Sequence, residues 1–142
     1  MEIEWGVFKP ASAMSVSVID NSSAPTTVLD SGEPFTVEVK WEVPSPTSDI
    51  IGGDFRVRLF VESVGPGPEM QIGATEFVPA VPFQNNYDKT IIVAGGALPG
   101  EDVFPSSSGV YKIVAVLQHR NGGSANEVSG FAESPLIQLR TP

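Results

Sequence analysis

Apolar residues in this chain recur at every second position and almost nowhere at every third or fourth. Phe35, Val37, Val39, Trp41 and Val43 alternate with Thr36, Glu38, Lys40 and Glu42. Phe55, Val57, Leu59 and Val61 alternate with Arg56, Arg58, Phe60 and Glu62. Tyr87, Lys89, Ile91 and Val93 oppose Asp88, Thr90, Ile92 and Ala94, and Tyr111, Ile113, Ala115 and Leu117 oppose Val110, Lys112, Val114, Val116 and Gln118. A period of two sends successive side chains to opposite faces of a strand, so one face is buried while the other meets water. The last of these segments is apolar on both faces over most of its length, which predicts a central strand or one covered on its outer side.

Weaker strands complete the set. Met14, Val16 and Val18 alternate with serines, Met70 to Ile72 and Thr75 to Val78 read as short edge strands, and Leu136 to Leu139 closes the chain. The 14 glycines and 13 prolines fall largely between these segments, in turn signals such as Asp30-Ser31-Gly32, Pro44-Ser45-Pro46, Gly52-Gly53, Gly65-Pro66-Gly67-Pro68 and Asn121-Gly122-Gly123. About seven to nine strands punctuated in this way predict an all-β fold, an antiparallel β-sandwich. We read residues 1–142 as one domain, with residues 1–12 as an N-terminal arm or extra strand. No window supports an amphipathic helix longer than a turn or two. The proline-rich stretch Pro79 to Pro82 is expected to cross between sheets or to lie on an edge.

Composition removes several chemistries. The chain has no cysteine, so no disulfide, thiolate zinc site, iron–sulfur cluster or cysteine nucleophile is available. Its single histidine, His119, excludes a three-histidine metal site. Eight lysines and arginines against 17 acids give a net charge of −9, which argues against sequence-independent nucleic-acid binding. The start, Met1-Glu2-Ile3-Glu4-Trp5, is acidic where a secretory signal needs positive charge. No run approaches the roughly 18 apolar residues of a membrane helix. The expectation is a cytoplasmic chain without membrane insertion, with release as part of a particle left open.

Ser107-Ser108-Gly109-Val110-Tyr111-Lys112-Ile113 resembles the corner before the sixth strand of immunoglobulin-like domains, whose pattern is Asp-x-Gly-x-Tyr-x-Cys. Gly109 and Tyr111 match, while Ser107 stands for the Asp and Ile113 for the Cys. The entry Ser31-Gly32-Glu33-Pro34-Phe35, followed by the Val37/Val39/Trp41 alternation, resembles the second strand of bacterial immunoglobulin-like and fibronectin-type-III-like modules. The resemblance spans roughly Met14 to Arg140. It implies an immunoglobulin-like sandwich, a Tyr111 hydroxyl bonded back to nearby backbone, and Ile113 packed against the opposite sheet. Without the cysteine pair it does not imply antibody-type kinship, and a fold that hosts adhesins, accessory modules and particle subunits does not decide activity.

Candidate sites follow from residue type and place. His119 precedes Arg120-Asn121-Gly122-Gly123, a hairpin signal, and is expected at the exposed end of a strand. There is no Gly-x-Ser-x-Gly elbow to pair it with a nucleophile. Asp49, Asp54, Glu101 and Asp102 sit in loops where oxygen ligands can hold Ca²⁺, although solvated loop charge is the simpler reading. Arg56, Arg58 and Phe60 share the polar face of one strand. They form either cross-strand ion pairs, with Glu38, Lys40 and Glu42 as partners, or a binding face anchored on Phe60. Trp5 and Phe8 in the arm pack on their own domain or add a strand to a neighbour. Asn21-Ser22-Ser23 matches the glycosylation sequon, read as an accident of composition. No catalytic residue, cofactor or metal is assigned.

The function expected is a non-enzymatic protein-interaction or structural module, a subunit of a larger bacterial assembly, with another protein or itself as partner. The alternative is a carbohydrate-binding sandwich in which a glycan stacks on exposed aromatics such as Trp5, Phe60 and Tyr87. A hydrolase using two of the many carboxylates is the remote alternative.

Overall fold

The alternating segments become strands in the phase their sequence dictates. The computed structural model describes residues 2–4, 12–19, 27–44, 52–100, 108–121 and 124–140. These residues form ten strands: β1 (Glu2–Glu4), β2 (Ser12–Ile19), β3 (Val28–Asp30), β4 (Phe35–Glu42), β5 (Asp54–Ser63), β6 (Met70–Pro79), β7 (Asn86–Val93), β8 (Val110–Asn121), β9 (Ser124–Glu133) and β10 (Ile137–Arg140). Met14, Val16 and Val18, then Val37, Val39 and Trp41, then Phe55, Val57, Leu59 and Val61, then Tyr111, Ile113, Ala115 and Leu117 all point into the core.

Two layers hold that core. One is β2–β4–β7, paired antiparallel with Val39 opposite Val16 on one side and Lys89 on the other. The second is β6–β5–β8, with β9 and β10 sharing the far edge of β8. β8 is the central strand that its two-sided apolar pattern predicts. β1 lies between β9 and β2 and hydrogen-bonds to both, so the layers curl into one continuous ladder. The backbone of residues 2–4 thus pairs with its own domain. Trp5 and Phe8, the arm residues singled out above, lie outside the described residues.

The pairing is antiparallel with one exception. β3 runs parallel to β10, Leu29 beside Leu139. A parallel neighbour requires a long crossover, which local alternation cannot announce. The two short edge strands expected around residues 70–78 are one ten-residue strand, β6, whose register against β5 shifts between Val57 and Leu59. Gly73 sits at this irregularity with φ of 67°. A Cβ there would lie 2.7 Å from Ile91 Cγ2 on β7, so glycine is what lets these two edges approach.

The β6 and β7 edges meet without a hydrogen-bonded ladder. Their inward-phased Glu76 and Lys89 form an ion pair of 3.7 Å across the seam, each about one-third exposed. An inward charge at an edge discourages foreign strands from pairing there.

Aromatic side chains tie the layers together. The Trp41 ring stacks on Tyr87 (centroids 5.7 Å apart, planes 7° off parallel) and meets Phe55 of the other layer edge-on at 5.4 Å. Tyr111 is fully buried, and its hydroxyl donates to the Pro99 carbonyl at 2.7 Å. This is the bond back to backbone that the Gly109–Tyr111 pattern implies, and Gly109 has the positive φ (71°) that a corner there requires. Where β9 passes into β10, Ser134 repairs the ladder. Its N–H donates to the Ile113 carbonyl at 2.8 Å and its hydroxyl accepts the Ile113 N–H at 3.0 Å.

His119 is not at an exposed strand end. It is 6 % exposed, its Nε2 bonds the Gly52 carbonyl at 2.6 Å, and its ring meets Phe55 at 5.2 Å. The alternation from Tyr111 through Leu117 simply continues one step further, and the imidazole fills the next inward position. Tyr87 is likewise buried beneath Trp41, so it offers no surface for a sugar.

Candidate interaction face

The outer surface of β6–β5–β8–β9 gathers three of the residues singled out in sequence. Arg56, Arg58 and Phe60 alternate outward along β5 and are each half-buried. Register then decides their neighbours. Arg56 stands between Phe77 of β6 and Gln118 of β8, Arg58 beside Val116, and Phe60 between Gln71 and Val114. Phe131 of β9 adjoins Val116. The result is a face on which arginines alternate with apolar side chains. Phe77 and Phe131 are 47 % and 49 % exposed.

The cross-strand ion pairs considered from sequence do not form. Glu38, Lys40 and Glu42 lie on β4, in the other layer, while Arg56 and Arg58 have β6 and β8 as neighbours. Arg56 instead donates through Nη2 to the Gln118 side-chain oxygen. The Arg58 guanidinium lies 5.6 Å from the centroid of the Phe60 ring. The Nε atoms of Arg56 and Arg58 are both buried with no hydrogen-bond partner among the described residues. A third guanidinium, Arg120, lies 4.5 Å from the Phe77 ring and grips Asp54 through two bonds of 3.1 and 3.2 Å. Lys112 pairs with Glu133 at 3.4 Å. Desolvation, followed by the charges of Arg58 and Arg120, lowers the Arg56 pKa from its ordinary value.

This arrangement suits recognition. A guanidinium presents a planar fork of donors matched to a carboxylate, and stacking on a ring holds it in place. Arginine and aromatic side chains in desolvated surroundings are among those that contribute most binding energy at protein interfaces. Arg120 and Lys112 already have carboxylates. Arg56 and Arg58 have none among the described residues.

The other sequence candidates divide. Asp54 belongs to the Arg120 pair and not to a cation site. Asp49, Glu101, Asp102 and the Asn21 sequon lie outside the described residues. Among the described residues, no group of three or more His, Asp or Glu side chains is placed to hold a metal ion.

Phe77 and Phe131 escaped sequence reasoning, although each falls on the outward phase of its strand. Phe83 escaped it too. It occupies the third position of the turn Val81-Pro82-Phe83-Gln84, closed by a 3.2 Å bond from the Gln84 N–H to the Val81 carbonyl. Its φ of 68° is one that glycine normally supplies, yet its side chain is 73 % exposed.

No family model and no curated protein matches the chain. Among solved structures, it is similar to a segment of the beta-glucosidase from Listeria innocua. The form in complex with isofagomine gives a TM-score of 0.50 at 15 % identity, covering 95 % of this chain and 18 % of that one. A second structure of the same protein gives 0.50 at 14 % identity, with 95 % and 17 % covered. AggA, the major subunit of aggregative adherence fimbriae type I from Escherichia coli, gives 0.45 at 9 % identity, with 92 % and 95 % covered. The chain therefore spans less than a fifth of the beta-glucosidase, and that likeness is one of fold alone.

Proposed function

We propose that this protein is a non-enzymatic interaction module, an immunoglobulin-like sandwich that serves as a subunit of a larger bacterial assembly and binds protein through the outer face of β6–β5–β8–β9. The observation that carries the reading is the pair Arg56 and Arg58. Both are half-buried on the outward row of β5, and among the described residues neither has a partner for its buried Nε or a carboxylate in reach. A partner carboxylate that reached the half-exposed guanidinium heads would add charge-assisted hydrogen bonds that no described carboxylate supplies.

The immunoglobulin-like reading has separate support. β2–β4–β7 against β6–β5–β8–β9 follows the strand order of that architecture, and the Tyr111–Pro99 bond supplies its corner. A glycan is the weaker alternative. Phe60 and Phe77 each carry a guanidinium near the ring that a sugar would stack on, and Tyr87 is in the core.

Affinity capture from the source cells tests this reading, with wild-type, Arg58→Glu and Phe60→Ala chains as baits. A stoichiometric protein retained by wild type and lost from both folded variants is expected. A glycan array should show no binding. A strictly monomeric chain that captures nothing, or binding indifferent to both substitutions, overturns the reading.

A further inference from the structure

The two outer faces of the sandwich carry charge of opposite sign. Among the described residues, the β6–β5–β8–β9 face presents Arg56, Arg58, Arg120 and Lys112 against Asp54, Glu62 and Glu133. Among the described residues, the β2–β4–β7 face presents Glu38, Glu42 and Asp88 around one cation, Lys40. Lys40 pairs with Glu38 at 3.3 Å, and Asp88 forms no ion pair with any described residue. Half of the chain's eight cations thus sit on one face of a molecule whose net charge is −9.

Spacing matches as well as sign. Outward residues repeat roughly every 7 Å along a strand, and neighbouring strands lie about 4.8 Å apart. Arg56 and Arg58 are one such step, about 7 Å, apart along a single strand, β5. Glu38 and Asp88 are one such step apart on adjacent strands, β4 and β7. The two cations and the two carboxylates are therefore separated by comparable distances, about 7 Å and about 8–9 Å. A groove of about 430 Å³ opens beside the acidic face, lined by its Lys40, Glu42 and Asp88 together with the core residues Met14, Trp41 and Tyr87. The half-exposed Phe77 and Phe131 rings project from the other face.

Resting on the reading that the arginine face is the binding surface, we infer that its partner is a second copy of this chain, stacked so that Arg56 and Arg58 of one copy meet Glu38 and Asp88 of the next. The two faces differ, so the contact is heterologous. Every added copy leaves one arginine face and one acidic face open, and the stack grows unless its rotation closes a ring.

Sedimentation of wild-type chain over a concentration series tests this, with two neutralising pairs, Arg56→Ser/Arg58→Ser and Glu38→Gln/Asp88→Asn. Unchanged far-ultraviolet circular dichroism establishes that both variants fold. Wild type should grow past the dimer with concentration. Each variant alone should associate at least tenfold more weakly. Mixed, the two variants should form a one-to-one dimer that grows no further, because each keeps one intact face. A monomeric wild type, association that survives both substitutions, or a closed dimer sensitive to one face only overturns the inference. If wild type stays monomeric while Arg56→Ser/Arg58→Ser loses a different, stoichiometric captured protein, the self-stacking inference fails and the interaction-module reading stands. If no protein is captured either, both fail.

Discussion

Replacing Tyr111 by Phe isolates the hydroxyl from the ring. The ring is fully buried and Phe retains its volume, so little packing is lost. What disappears is the 2.7 Å bond to the Pro99 carbonyl, which links β8 to a residue 12 positions upstream. A neutral hydrogen bond contributes about 0.5–1.5 kcal/mol net, and an acceptor left dry costs about 1–3 kcal/mol. Pro99 is only half-buried, so water can reach part of its carbonyl. The expected loss at pH 7 is therefore about 1–2 kcal/mol. The same group makes the prediction pH-dependent. Burial raises the folded-state Tyr111 pKa above the ordinary phenol value of about 10. Its stabilising contribution is fully present below about pH 10 and is lost as pH rises through the folded value, because the unfolded chain sheds its proton first. Phe has no proton to shed. Urea melts of both chains from pH 7 to pH 11 should show the gap between them narrowing above pH 10. A loss under 0.5 kcal/mol at pH 7, together with parallel alkaline slopes, would refute the corner as described.

Three further outcomes follow from packing and backbone geometry. Trp41→Ala should cost about 3–5 kcal/mol by denaturant melt, since the 2 % exposed ring holds Tyr87 and Phe55; a cost under 1 kcal/mol contradicts its burial. Gly73→Ala should cost about 2–3 kcal/mol in the same assay, combining about 1–2 kcal/mol for the positive φ with displacement of buried Ile91; a neutral result contradicts the close approach of β6 and β7. Phe83→Gly should be neutral or up to about 1 kcal/mol stabilising, because strain is relieved and little burial is lost; a loss above 1 kcal/mol means the ring is packed.

Much of the fold was legible because parity along a strand is a local property. Val37, Val39 and Trp41 declared their inward phase, and the two-sided apolar segment around Val114 declared its central place. His119 departs from the exposed position that its nearness to a turn predicts, and parity accounts for the difference. It shares parity with Leu117, and the Asn121-Gly122 turn signal marks only its place near the strand end, while parity sets its inward phase. Other features are tertiary. Which strand lies beside β5 decides whether Arg56 meets Glu38 or Gln118, and alternation does not encode that choice. The parallel pairing of β3 with β10 depends on contacts distant in sequence, and the continuity of β6 depends on a register shift against β5 that alternation does not encode. Half of the candidate face was therefore readable, as Arg56, Arg58 and Phe60 on one outward row. The aromatics that complete it, Phe77 and Phe131, emerged only once β6 and β9 had neighbours.

The central claim is that this outward row is a binding surface, and side-chain footprinting by hydroxyl radicals tests it most directly. The chain is labelled in its associated form and again after dissociation. Phe60, Phe77 and Phe131 should lose reactivity on association, while Phe83, exposed in the β6–β7 turn, serves as the unchanged reference. Equal reactivity of the three rings in both states, or protection confined to other surfaces, would contradict the account.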